Sequence, residues 1–205
     1  MLKNTQSSTA KDNNIRAESS DVKQRLILAA QTCYEKNGIK RTTINDIAKT
    51  ASITRRTVYR YFSSHDDILL AVFERIVDTF WQDLFNDLAF EGDFGECIAT
   101  ALLYSINYAK TTKRHGYMFS NDAQAITNNI YISNYYFIEA SYKGLTSIHQ
   151  EKVSQGLAKE DIDLQMLAEW FNRLILSFVS TPSKVYQSDQ ELLTLFRSML
   201  TPINN

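Results

Sequence analysis

Apolar residues recur at every third or fourth position through most of this chain, which is the spacing of one face of an α-helix. Glycine and proline, which punctuate strand-and-turn sequences, number only 6 and 2 in 205 residues. At 44% hydrophobic residues the chain can bury a substantial core. The predicted fold class is therefore all-α, with an N-terminal three-helix domain joined by a long helix to a larger C-terminal helical domain.

The first 20 residues are polar and without period, so residues 1–20 are predicted to form a disordered tail. They lack the apolar core of a secretory signal, and no run reaches the roughly 18 apolar residues of a membrane span. A cytoplasmic protein with no membrane partner is expected. Cys33 and Cys97 lie in apolar helical patterns without metal-ligand spacing, so buried reduced thiols are predicted, with a redox switch as the alternative.

Residues 21–65 carry the start and stop signals of three helices. Gly38 is placed to end the first helix, and Thr43 with Asp46 predicts a capping box, in its weaker Asp version, at the start of the second. Ser52 lies in a short turn, and Thr54 caps the third helix. Two helices this short need a partner, so the segment is predicted to be a helix-turn-helix packed on the first helix.

A basic patch lies on this segment although the net charge of the whole chain is only -1. Arg55 and Arg56 occupy the first turn of the third helix, where the helix dipole disfavours a cation. A phosphate backbone reverses that penalty, so the patch predicts binding of double-stranded DNA. The alternative is a pair of solvated arginines on an ordinary surface. The same polar face continues with Thr57, Tyr59, Arg60 and Tyr61.

The division between phosphate contacts and base contacts stays open at this point, because threonine, tyrosine and arginine suit phosphate oxygens and arginine also pairs with guanine. Tyr61 has a competing structural role, since it precedes the apolar Phe62 and can pack on the first helix.

Residues 66–205 are predicted to form a ligand-binding and dimerisation domain. The last two helices carry more apolar surface than one neighbour can cover, which favours a four-helix interface between two copies of the chain. The alternative is that both helices are buried in their own domain. The predicted interface residues are Phe171, Leu174, Ile175, Phe178, Leu192, Leu195, Phe196 and Met199.

Aromatic residues are the candidates for a pocket in the same domain, with ordinary core packing as the alternative for each. The ligand of such a pocket is expected to be a small apolar or aromatic molecule. The candidates are Trp81, Phe85, Tyr104, Tyr108, Phe119, Tyr135, Tyr136 and Trp170. No cofactor, metal site or enzymatic activity is predicted, because the three histidines are scattered and no phosphate loop or nucleophile elbow occurs.

The segment TTINDIAKTASITRRTVYRYFSSHDDILLAVF, preceded by a helix ending CYEKNGIKR, resembles the DNA-binding domain of the TetR family of bacterial transcriptional regulators. The likeness covers about Val22 to Phe73. It implies a homodimer of roughly nine helices that binds a palindromic operator, usually as a repressor, and releases DNA when a small molecule enters the C-terminal domain. The DNA contacts of the family map onto Thr43, Thr54, Arg55, Arg56, Thr57, Tyr59, Tyr61 and His65.

Three positions depart from the family pattern. Arg56 stands where many members have glycine, and His65 stands where many have a lysine that contacts phosphate, which implies a weaker and pH-sensitive contact. Ser52 replaces a glycine that is frequent in the turn, and a left-handed conformation there would cost about 1 kcal/mol.

Ligand control is expected to act through the helix that begins near Asp66, because tilting it would move two DNA-reading units out of register with the major groove. The alternative function is an all-α small-molecule-binding or lipid-binding protein, or an enzyme, in which the basic helix is only surface.

Overall fold

The computed structural model describes residues 6–111, 117 and 135–204. Every regular element within these ranges that exceeds a single turn is an α-helix, which confirms the all-α class. The helices are α1 (Gln6–Asn37), α2 (Ile44–Thr50), α3 (Arg55–Tyr61), α4 (His65–Asp87), α5 (Phe94–Thr111), α6 (Tyr135–Ser154), α7 (Leu164–Ser180) and α8 (Asp189–Asn204).

The chain divides into two compact units, Met1–Phe73 and Glu74–Asn205. The division falls inside α4, so this helix contributes its first turns to one unit and the remainder to the other. The sequence predicts the boundary after residue 65, where the apolar pattern changes, which is earlier in the chain than the division after Phe73. A continuous helix across two units leaves no composition signal at the point where its contacts change.

In the first unit, α1, α2 and α3 pack around side chains that are completely shielded from water. Leu26 and Tyr34 of α1, Ile47 of α2 and Val58 of α3 are all 0% exposed. Gly38 ends α1 as predicted: its φ is +80° and its N–H donates to the Tyr34 carbonyl at 2.8 Å. The short helices α2 and α3 are therefore held by tertiary packing, as the sequence requires of helices of this length.

The first helix begins at Gln6, whereas the sequence pattern predicts a disordered tail over residues 1–20 and a helix from about Asp21. No glycine or proline occurs between Gln6 and Ser20, so nothing in the backbone interrupts the helical hydrogen bonds that continue outward from the packed turns. The apolar period begins only at Val22, so the periodicity gives no signal for the part of α1 that precedes it.

The second unit is built around α5, which packs against α6, α7 and α8. Phe94, Ile98, Leu102 and Ile106 recur every four residues along α5, and each is 0% exposed. A residue spacing of four places them on one helical face, and full burial of each such side chain contributes about 1.5–3 kcal/mol. In the described part of the chain, no helix is both long and apolar enough to cross a membrane.

The two terminal helices bury part of the surface that the sequence assigns to a dimer interface. Phe171, Leu192 and Phe196 are 0%, 4% and 0% exposed and belong to the core of their own unit. Leu174, Ile175, Phe178 and Leu195 are half-buried against the same core. Met199 is 43% exposed. An apolar stripe on a helix indicates that its residues pack against another surface. It does not show whether that surface is the core of the same chain or a second copy.

Both cysteines are buried and free, which agrees with the prediction of reduced core thiols. Cys33 Sγ lies 3.2 Å from Thr50 Oγ1 in the first unit. Burial raises the pKa of the Cys97 thiol in the second unit to about 11. A protonated buried thiol is a poor nucleophile, so Cys97 is not predisposed to oxidation.

Candidate functional site

Local hydrogen bonds define the two short helices of the candidate nucleic-acid interface. Thr43 Oγ1 accepts the Asp46 N–H at 3.2 Å, and Asp46 Oδ2 accepts the Thr43 N–H at 2.9 Å, so the predicted capping box is confirmed. Thr54 Oγ1 accepts the Thr57 N–H at 3.2 Å and caps α3, also as predicted. These bonds satisfy backbone donors that helix ends otherwise leave unpaired.

The turn between α2 and α3 requires a left-handed residue. Ser52 has a φ of +55°, which is the only positive φ of a non-glycine residue in the described chain. Its N–H donates to the Lys49 carbonyl at 3.1 Å, and the Ile53 N–H returns to the Ala48 carbonyl at 3.0 Å. The turn therefore ends α2 with a serine in the left-handed conformation that glycine usually adopts.

The outer face of α3, which we define as Arg55, Arg56, Tyr59 and Arg60, is exposed along its whole length. Val58 marks the opposite, buried side of the helix. Arg56 and Arg60 lie two positions before and after Val58, so each points roughly 160° away from it at 3.6 residues per turn. Arg55 and Tyr59 lie on one flank of this face.

Two of the three arginines are held against tyrosine rings. The Arg55 guanidinium lies 5.4 Å from the centroid of the Tyr59 ring and donates to the Tyr59 hydroxyl at 3.1 Å. The Arg60 guanidinium lies 5.1 Å from the centroid of the half-buried Tyr61 and donates to its hydroxyl at 3.1 Å. Arg56 has no hydrogen bond or ion pair within the described part of the chain, so its side chain remains available.

The threonine hydroxyls that the family resemblance assigns to DNA contacts already have local partners. Thr43 Oγ1 donates to Asp46 Oδ2 at 2.6 Å, and the hydroxyl oxygens of Thr54 and Thr57 are 2.9 Å apart. Thr43 and Thr54 are nevertheless exposed, and Thr57 is half-buried. A hydroxyl has one proton to donate, so Thr43 must give up its bond to Asp46 before it can donate to a phosphate oxygen. In the Thr54–Thr57 pair one hydroxyl donates to the other, and the accepting hydroxyl keeps a proton for a further contact.

Positive charge dominates the surface around α3. The lysines and arginines of the predicted basic patch are all exposed, and the only acid among them is Asp46. Hydrogen bonds from the hydroxyl and the backbone N–H of Thr43 lower the pKa of Asp46. Its negative charge is thus engaged in the α2 cap. The exposed basic residues are Lys40, Arg41, Lys49, Arg55, Arg56 and Arg60.

His65 at the start of α4 has a role inside the first unit that the sequence does not reveal. Its Nε2 lies 3.3 Å from the Tyr34 hydroxyl, and the two rings meet edge to face at 5.6 Å. Burial lowers the pKa of His65, while the charge of Asp66 and a hydrogen bond with the Thr42 backbone oppose this shift. The neutral imidazole therefore joins the start of α4 to α1, and this engagement competes with the phosphate contact that the resemblance implies.

A cavity of about 360 Å³ lies in the second unit between α4 and α6. The α4 side contributes Asp78, Trp81, Gln82 and Phe85. The α6 side contributes Tyr136, Glu139, Ala140, Lys143, Gly144 and Ser147. This volume is at the lower end of the range typical of small-molecule sites, and the mixture of aromatic and polar groups is also typical of them.

Three of the predicted pocket residues line this cavity, namely Trp81, Phe85 and Tyr136. The other predicted residues lie elsewhere in the described chain, with the exception of Phe119, which is outside the described residues. Tyr104 donates to Asp87 at 2.7 Å, and Tyr108 donates to Asp83 at 3.0 Å. Tyr135 is 59% exposed, and Trp170 packs against the core of the unit.

The sequence prediction missed the polar residues of the cavity. Asp78 and Gln82 lie one helical turn apart on the same face of α4 as Trp81 and Phe85, which is the signal that was available. Glu139 and Lys143 stand at the same spacing on α6. In the described ranges, no group of three or more His, Cys, Asp or Glu residues could hold a metal ion.

Part of the first unit matches a known protein family. The family model described as bacterial regulatory proteins of the tetR family matches residues 26–72. The HTH-type transcriptional regulator SrpR of Pseudomonas putida is 28% identical over 165 residues, which cover 78% of this chain and 74% of that protein. The match to the family model spans α2, α3 and the residues that cap them.

Two solved structures share the fold. RolR in complex with its ligand resorcinol superposes with a TM-score of 0.69 at 17% identity, covering 92% of this chain and 90% of RolR. The R. erythropolis transcriptional repressor QsdR superposes with a TM-score of 0.67 at 15% identity, covering 91% of this chain and 97% of QsdR. The domain that spans residues 26–72 therefore belongs to the tetR family of bacterial regulatory proteins.

Proposed function

We propose that the chain is a repressor that binds a palindromic operator in double-stranded DNA as a homodimer and releases it when a small molecule binds the second unit. The exposed, basic outer face of α3 is the observation that carries this proposal. Relatives that are named for transcriptional regulation support a regulator rather than an enzyme. Such a protein acts in the cytoplasm, where bacterial DNA is found.

We propose different roles for the arginines of the outer face. Arg56 has no local partner and points directly away from Val58, so it reads a base edge in the major groove, as arginine does with guanine. Arg55 lies on a flank and is held by Tyr59, a geometry that suits a fixed contact with the phosphate backbone. Thr43, Thr54, Thr57, Tyr61 and Arg60 add further contacts around these two.

Operator selection followed by salt-dependent binding tests these roles. An operator is first selected from a random DNA pool, and its affinity is then measured by fluorescence anisotropy at several salt concentrations. Arg55→Ala should weaken binding to all sequences and reduce the salt slope by about one. Arg56→Ala should cost about 1–3 kcal/mol at one base pair and relax the preference there.

The control is Lys159→Ala, which removes an exposed positive charge from the second unit. This substitution should leave the affinity for DNA and the salt slope unchanged. An Arg56→Ala protein that keeps the full sequence preference would remove Arg56 from base reading. A wild-type protein that shows no salt-dependent binding to duplex DNA would overturn the proposed function itself.

Homodimerisation is proposed through the surface that α7 and α8 leave uncovered. Phe171, Leu192 and Phe196 are excluded by their burial, so the face consists of the half-buried members of the predicted set together with Met199. Two recognition helices fit successive major grooves only when their separation is about 34 Å or a multiple of it. A dimer supplies such a fixed separation, and a single copy cannot.

Ligand control is proposed to pass through α4, because this helix contributes residues to both units and to one wall of the cavity. RolR was solved with resorcinol, and its likeness to this chain supports a small-molecule site in the second unit. A ligand shifts the equilibrium only by its difference in affinity for the two states of the protein. The test is release of the bound operator during titration with candidate ligands.

A further inference from the structure

The cavity between α4 and α6 carries more negative than positive charge. Asp78 and Glu139 supply two carboxylates, and Lys143 supplies the single ammonium group among the described lining residues. The remaining lining side chains are aromatic, small or neutral. An uncompensated carboxylate beside aromatic rings favours a ligand that brings a positive charge.

Asp78 is a fixed acceptor at one end of the cavity. The Tyr136 hydroxyl donates to its Oδ1 at 2.6 Å, and this bond orients the carboxylate. The second oxygen, Oδ2, receives no hydrogen bond from the part of the chain that the structure describes. A carboxylate that accepts a hydrogen bond on one oxygen only can use the other oxygen for a charge-assisted hydrogen bond, or a close contact, with a cationic ligand.

Glu139 is paired with Lys143, but the pair lies in water. Glu139 Oε1 and Lys143 Nζ are 3.1 Å apart, and the two side chains are 42% and 70% exposed. Ion pairs with this exposure contribute little, so a ligand cation displaces the lysine from Glu139 at low cost. The released ammonium group then returns to solvent on its flexible stem.

Trp81 and Phe85 form the aromatic wall of the cavity, and Phe85 is the more exposed of the two. A Cβ atom at Gly144 would overlap the six-membered ring of Trp81, so the indole packs directly on the backbone of α6. The Trp81 and Phe85 ring centroids are 6.0 Å apart with the planes tilted by 35°. Phe85 remains 42% exposed. Aromatic faces attract both flat apolar groups and cations.

We propose that this cavity binds a monovalent organic cation with a flat aromatic body, the charge lying toward Asp78 and Glu139 and the rings lying against the exposed Phe85, beside Trp81. Asp78 and Phe85 are separated by two helical turns, or about 10 Å along α4, which matches a cationic group attached to two linked rings. The inference rests on the proposed ligand control and names the class of ligand.

Three probes of similar size test the sign of the charge: 4-phenylbenzylammonium, 4-biphenylmethanol and 4-biphenylacetate. Affinity is measured by calorimetry on the full chain, and the position of binding is followed by the indole N–H signal of Trp81, which Trp170→Phe assigns because the chain has 2 tryptophans. The cation should bind at least tenfold more tightly than either other probe and should shift the Trp81 signal. Tighter binding of the neutral or the anionic probe would overturn the proposal.

Asp78→Asn and Asp87→Asn form a matched pair of variants. Both aspartates lie on α4 and accept a tyrosine hydroxyl, but only Asp78 lines the cavity. Asp78→Asn should weaken the cation at least fivefold and leave the neutral probe unchanged, whereas Asp87→Asn should affect neither. Equal effects of the two substitutions would also overturn the proposal.

Operator binding without any probe separates this inference from the proposed function. A protein that binds operator DNA but prefers the neutral or anionic probe contradicts only the ligand class. A protein that binds the cation at Trp81 but keeps its operator supports the site and contradicts ligand control through it. A protein that binds no DNA contradicts the proposed function and leaves the probe result to stand by itself.

Discussion

Ser52 forms the turn between α2 and α3 in an unfavourable backbone conformation. Its φ of +55° should make Ser52→Gly stabilising, because relief of left-handed strain of about 1–2 kcal/mol exceeds the extra entropy that glycine loses on folding. We expect a gain of about 0.5–1 kcal/mol, measured by chemical denaturation followed by circular dichroism. Ser52→Ala is the control, since it removes the hydroxyl and retains the strain. A similar gain from alanine would show that the backbone is not the cause.

His65 should make the stability of the first unit depend on pH. Burial lowers its pKa in the folded state below the ordinary value of 6.5, so the unfolded chain binds the proton more readily. The stability associated with the neutral imidazole is complete above pH 6.5 and is lost as the pH falls through 6.5 toward the folded pKa. Denaturation midpoints between pH 7.5 and 5 should therefore fall with pH in the wild type.

The matched substitution is His65→Gln, which retains a polar side chain near the Tyr34 hydroxyl and cannot titrate in this range. Its stability should be lower than that of the wild type at pH 7.5 but should change less between pH 7.5 and 5. An unchanged pH dependence in the variant would assign the effect to other groups.

Between elements, the closest approach of α4 to α6 depends on Gly144. The indole of Trp81 occupies the space that a Cβ would need, and Trp81 is only 8% exposed. Gly144→Ala should therefore displace the ring or separate the helices, at a cost of about 1–3 kcal/mol in unfolding free energy. Denaturation followed by tryptophan fluorescence measures both the loss and the altered environment of Trp81.

A second substitution identifies the cause of that loss. Trp81→Leu should lower the cost of Gly144→Ala when the two changes are combined, because the smaller side chain removes the clash. Additive effects in this double-mutant cycle would show that Gly144 and Trp81 do not interact as the structure indicates.

For the whole molecule, the exposed part of the terminal helices should control assembly. Met199 is 43% exposed on α8, so Met199→Asp should shift the protein from dimer to monomer in sedimentation velocity with little change in monomer stability. Met166→Asp is the control, because this methionine is 67% exposed at the start of α7, outside the predicted interface. Dimers that persist in Met199→Asp would exclude this surface.

Leu192 provides the opposite test on the same helix. It is 4% exposed in the core of its own unit, so Leu192→Ala should cost about 2–5 kcal/mol of stability through the cavity it leaves. The folded fraction should still dimerise. Loss of dimerisation in a fully folded Leu192→Ala protein would contradict the burial seen within one chain.

The features that the sequence determined by itself are those encoded within one or two helical turns. Thr43 with Asp46, Thr54 with Thr57, and Gly38 cap or end helices through partners no more than four residues away, so their residue types already specify the geometry. Arg55 and Arg56 likewise predict a DNA-binding surface from the sequence, because they oppose the dipole of their own helix.

Only the tertiary structure decided what lies opposite each apolar or polar face. His65 meets Tyr34 across 31 positions, and Asp78 meets Tyr136 across 58, so neither pairing is visible in a local pattern. The burial of Phe196 and the position of Trp81 in a cavity wall follow from the same long-range packing. The periodicity of apolar residues predicts which side chains are buried. The residues that they contact depend on how helices distant in sequence pack together.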